Sequence, residues 1–164
     1  MIKVLSIFSL TVLLSATASL RAQPPASAAM LKPVRGPLVS FGSLTPGDTL
    51  ILVCFWSAAS DAGIEALDAI NAQYAGWKKR ARFRMLAVAE DEGRGSGRIR
   101  GLKSEHGWTF DVYEDINGEL RAAAHIRNLP SSVIITGGKV VYQMEGFEKG
   151  AEAYLFDKIL AMQP

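Results

Sequence analysis

The stretch Thr49 to Trp56 (TLILVCFW) is an unbroken, uncharged run dominated by large apolar residues. Such a run suits a strand covered on both faces, and a strand of that kind needs a layered domain around it. The next segment supplies a layer. From Asp61 to about Lys79, residues Ile64, Leu67, Ile70, Tyr74 and Trp77 recur every three or four positions and share one helical face. Lys78, Lys79 and Arg80 close that helix, where cations suit the negative end of its dipole.

The alternation continues. Phe83 to Ala89 (FRMLAVA) reads as a second inner strand, followed by a glycine-broken polar loop and a helix from about Ile99 to His106. Thr109 to Glu114 is a short extended segment, and Asn117 to His125 an alanine-rich helix. Ser132 to Thr136 and Lys139 to Met144 are β-branched runs joined by Gly137-Gly138, a hairpin signal. Glu148 to Met162 closes the chain as a helix, with Ala151, Tyr154, Leu155 and Ile159 on one side. This order implies an α/β protein, a mixed central β-sheet with helices on both faces.

The N-terminal segment has a different character. Met1-Ile2-Lys3 gives a positive start, Val4 to Leu14 is mostly apolar, and Leu20-Arg21-Ala22 ends a small-residue stretch. This layout is that of a secretory signal peptide over residues 1–22, too short and too rich in Ser and Thr for a membrane span. Residues 23–37 hold Pro24, Pro25, Pro33 and Pro37 and read as an extended leader or linker. The domain is expected over 38–164. The whole chain carries 18 basic and 16 acidic residues, and Lys3 and Arg21 lie in the signal, so the mature chain is formally neutral. Neutrality argues against a nucleic-acid partner. The expected destination is the periplasm, or the exterior of a cell without an outer membrane.

Two stretches resemble a known family. ILVCFWSAASDAGIEALDAINAQY, residues 51–74, resembles the strand, active-site turn and first helix of exported thioredoxin-fold proteins of the TlpA-like, redoxin kind. VYEDINGELRAAAHIRNLPSSVIITGGKVVYQMEGF, residues 112–147, resembles the second half of the same family. The resemblance implies a thioredoxin-like fold and, in the family, thiol-disulfide exchange through Cys-x-x-Cys. In this chain the attacking cysteine's place is taken by Ser60 and the resolving cysteine's by Gly63. An acid of the family falls on Ala66, a helix-kinking proline on Asp68, and the family's cis-proline on Pro130 after Leu129.

Disulfide exchange needs a thiolate made reactive at a helix N-terminus, which Ser60 and Gly63 cannot provide. Serine at the start of a helix is a favoured N-cap, and Asp61 suits the positive dipole end. A nucleophilic Ser60 would need a base such as His125; the only other histidine is His106, and no Gly-x-Ser-x-Gly elbow is present. The lone Cys54 lies inside the apolar strand, where burial makes a thiol inert. The Arg-rich segments 78–84 and 92–103 lack the pattern of a phosphate loop and read as solvated, and no residue cluster has metal-ligand spacing.

Two functional readings stay open, beside a third in which the chain is a purely structural domain with no groove ligand. One is a non-catalytic module binding a polypeptide of the cell envelope in the groove of Trp56, Ala59, Ser60, Leu129 and Pro130, with no cofactor and no metal. The other is residual oxidoreductase or peroxidase activity through Cys54.

Overall fold

The computed structural model describes residues 25–91 and 95–163. The expected signal peptide lies outside the described residues. Among the described residues seven strands form one sheet, in the order β2 (Val39–Ser40), β1 (Met30–Pro33), β5 (Asp111–Glu114), β4 (Arg84–Ala89), β3 (Ile51–Trp56), β6 (Ser131–Thr136) and β7 (Lys139–Glu145). Its centre is three parallel strands, β3 (Ile51–Trp56), β4 (Arg84–Ala89) and β5 (Asp111–Glu114). On one side β6 (Ser131–Thr136) runs antiparallel to β3 and carries β7 (Lys139–Glu145). Gly137 and Gly138 both have positive φ, 53° and 73°, as a tight two-residue hairpin requires.

Side chains alternate between two cores, as strand geometry dictates. Leu52, Cys54 and Trp56 of β3 join Met85, Ala87 and Ala89 of β4 on one face. That face is covered by α2 (Asp61–Arg80) through Leu67, Ile70 and Trp77, by α5 (Ala151–Ala161) through Leu155, Phe156 and Ile159, and by Ile99 of α3 (Ser96–Glu105). Trp77 and Phe156 stack at 4.9 Å, fastening α2 to α5. Ile51, Val53 and Phe55 take the opposite face with Leu86 and Val88, under Leu120 of α4 (Glu119–Ala123) and Phe41 of α1 (Phe41–Leu44). Every residue of β3 is buried, and the expected mixed sheet with helices on both faces is what the chain forms.

The N-terminal boundary differs from expectation. Within the segment read as a leader, β1 (Met30–Pro33) pairs with β5, Lys32 opposite Glu114 and Pro33 opposite Tyr113, and also with β2 (Val39–Ser40). Leu31 is wholly buried and Ala29 nearly so. Proline at a strand end costs little, and the buried apolar side chains hold the segment in place.

Candidate functional site

The site is the turn between β3 and α2, where the sequence resemblance places redox chemistry. Its backbone is tied down at each step. Ala58 N–H donates to both oxygens of Asp91, 2.9 Å to Oδ2 and 3.1 Å to Oδ1. Ser57 Oγ donates to Asp91 Oδ1 at 2.8 Å and accepts from Ala59 N–H at 3.1 Å. Ser60 N–H donates to the Ser57 carbonyl at 3.0 Å. Ser60 then caps α2, its Oγ accepting from Gly63 N–H at 3.4 Å, with Asp61 in the first turn.

Gly63 is buried against the end of β3. A Cβ there would sit 3.3 Å from Trp56 Cβ, tighter than ordinary contact, and 3.5 Å from the Ser57 carbonyl oxygen, an ordinary contact. Asp68 accepts from Trp108 Nε1 at 2.7 Å and lies 2.9 Å from His106 Nδ1, fixing α2 to the segment before β5. His106 is thus engaged, while His125 is exposed with a φ of 56°. Among the described residues neither histidine is hydrogen-bonded to Ser60, so neither is placed to act as its base.

Cys54 faces the α2 side of the sheet, 3.3 Å from Ser132 Oγ. Burial pushes its thiol up to about 12, with the Ser132 contact opposing only weakly. A thiol in that state supplies almost no thiolate at neutral pH.

The Leu129–Pro130 peptide is cis. Phe55 pairs with Ser131, so Pro130 falls one step further along β6, at the level where β3 ends and the turn begins. Pro130 is buried and its carbonyl accepts from Gly146 N–H at 2.8 Å. Leu129 packs its side chain on the second core, yet among the described residues its backbone N–H and C=O have no hydrogen-bond partner. Ala59 is exposed and Ser60 half-buried.

Trp56 departs from its expected place. It is 0 % exposed, packed edge-on against Trp108 at 5.1 Å, and its Nε1 has no partner among the described residues. Strand alternation puts it on the same face as Cys54, under α2, so its indole offers no surface to a ligand.

The sequence reading also missed the carboxylates beneath the turn. Two inner strands lead into the same doublet, Glu90-Asp91 directly after β4 and Glu114-Asp115 with Glu114 as the last residue of β5. Asp115 accepts from Glu119 and Arg121 N–H at 3.0 and 2.9 Å, capping α4, while burial raises its carboxyl above the ordinary range. Glu90 is raised further, to about 8, first by burial and then by the Asp115 charge. Among the described residues no group of three or more potential ligands could hold a metal ion, and no helix is long and apolar enough to cross a membrane.

A mixed sheet with a cis-proline facing a strand–helix turn is the arrangement that the resemblance implied. The chain has a thioredoxin-like fold. It is similar to a thioredoxin-like protein from Porphyromonas gingivalis, with a TM-score of 0.71 and 29% identity over 83% of this chain and 90% of that one. A secreted Mycobacterium tuberculosis disulfide oxidoreductase matches with a TM-score of 0.66 and 12% identity, covering 84% of this chain and 98% of that one. The bacterioferritin comigratory protein of Xanthomonas campestris, described with alkyl peroxide reduction activity, matches at 0.71 and 15% identity over 85% and 96%. The last two likenesses concern the fold alone. No protein-family model and no curated protein matches the chain. This thioredoxin-fold chain has a single cysteine, placed in the core rather than at the helix start.

Proposed function

We propose that this is an exported, redox-inactive thioredoxin-fold protein that binds an extended segment of a polypeptide in the cell envelope. The observation that carries the reading is Leu129, whose N–H and C=O beside the turn have no partner among the described residues. Unpaired backbone groups on an extended residue accept an added strand, and main-chain hydrogen bonds then supply affinity without side-chain chemistry. Exposed Ala59 leaves room opposite, and capping by Ser60 keeps the turn shaped without a thiol. The signal-like residues 1–22 and the secreted M. tuberculosis neighbour support export.

The test is binding of a carboxymethylated, permanently unfolded polypeptide that has no thiols to exchange. Ala59→Arg, which fills the open side of the groove, is expected to weaken binding at least about tenfold while leaving the melting temperature within a few degrees. Unchanged binding in that variant overturns the reading.

A further inference from the structure

The two Arg-rich stretches that look solvated in the sequence converge in the fold. A cleft of about 1610 Å³ opens at the far end of the sheet from the Ser60 turn, where β3 and β4 begin and α2 ends. Lys78, Lys79, Arg80, Arg82 and Arg84 line it. A second cleft of about 560 Å³ is lined by Arg35, Arg100 and Lys103, and Asp111 lines both. Three segments distant in sequence thus bring eight cations to one end of the molecule, against Asp48 and Asp111.

Little of this charge is neutralised. Arg84 is the only one of the eight with a carboxylate within ion-pair reach among the described residues, Asp111 at 2.8 Å. Arg80 lies over the Phe156 ring and Lys78 donates to the Phe83 carbonyl, contacts that orient the cations and leave their charge unmatched. Asp91 and Glu114 lie at the opposite ends of the same strands. This end of the parallel strands therefore carries an excess of positive charge, and such a field concentrates anions there.

We propose that the two clefts form one binding site for an extended polyanion bearing phosphate groups, separate from the Leu129 groove. Arginine forks match phosphate oxygens bidentately, and five of the eight cations are arginines. The two clefts meet at Asp111, which Arg84 pairs, so one extended chain can engage both.

The full chain should bind medium-chain inorganic polyphosphate at low salt, with affinity falling steeply as salt rises. Lys79→Glu with Arg82→Glu should weaken binding at least about tenfold, and Arg35→Glu, in the other cleft, about threefold or more. Arg127→Glu with Lys149→Glu makes the same charge change elsewhere and should cost less than about twofold. Melting temperatures verify that each variant is folded. Equal losses in both double variants would reduce the effect to net charge and overturn the proposal. So would an unaffected Arg35→Glu, or binding to phosphatidylglycerol vesicles without binding to polyphosphate.

Discussion

Asp91 holds Ala58 with both carboxylate oxygens, at 2.9 and 3.1 Å from a single N–H. The same carboxylate takes the Ser57 hydroxyl, so one side chain beyond β4 fixes the turn that opens α2. Hydrogen bonds to a charged group contribute about 1.5–3 kcal/mol each, and removing the acceptor leaves the donors unsatisfied. Asp91→Ala should therefore destabilise the protein by about 2–3 kcal/mol in urea unfolding. It should also weaken polypeptide binding, because Ala59 would lose its fixed place. A variant with unchanged stability would show that the turn is held by its own backbone.

Glu90 governs the response to pH. Its folded carboxyl titrates at about 8, raised from 4.5 by burial and by Asp115, against the opposing charge of Arg121. The native state then binds a proton that the unfolded state has released. The stabilising contribution is fully present below about 4.5 and is lost as pH climbs through about 8. Glu90→Gln keeps the shape and cannot ionise. We expect urea midpoints of the wild type to fall between pH 5 and 8.5, and those of the variant to fall less, so that the variant is the more stable at pH 8.5. Parallel curves for the two proteins would place the pH response elsewhere, for example in Asp115.

What the sequence made legible follows from range. The strand and helix order was readable because β3 is apolar throughout and α2 repeats its apolar residues every three or four positions, both local signals. The β1 strand was hidden because its partner, Glu114 opposite Lys32, lies far along the chain and four residues with a proline carry no clear alternation. Trp56 could have been placed correctly. Cys54 reads as buried, and a residue two positions along a strand shares its face. The capping role of Ser60 was readable from residue type, whereas the tight fit of Gly63 against Trp56 depends on tertiary packing. The Glu-Asp doublets were visible but unspecific, since polar residues end most strands.

Cys54 should be chemically silent. With its thiol pushed up to about 12 and its side chain enclosed, attack on an aromatic disulfide reagent at pH 8 needs prior opening of the core. The native protein is expected to release no chromophore on the timescale of a free thiol, and one equivalent after unfolding in guanidinium. Insulin reduction should likewise stay at background. Prompt native reaction would revive the one-thiol enzyme.

Restoring the thiols separates the framework from its chemistry. Ser60→Cys places a sulfur at the N-cap of α2, where the helix dipole and open N–H groups favour a thiolate, so alkylation at pH 7 should be far faster than at Cys54. Adding Gly63→Cys meets the end of β3, with Cβ 3.3 Å from Trp56 Cβ, and overpacking of that kind costs about 1–3 kcal/mol. The double variant should therefore unfold at lower urea than Ser60→Cys alone. It should nevertheless form an internal disulfide and, with dithiothreitol supplying the electrons, reduce insulin above background, because the Leu129 N–H and C=O, without a partner among the described residues, stay beside the turn. A double variant that forms the disulfide and leaves insulin untouched would show that the groove does not receive polypeptide, and would overturn the binding function along with the prediction.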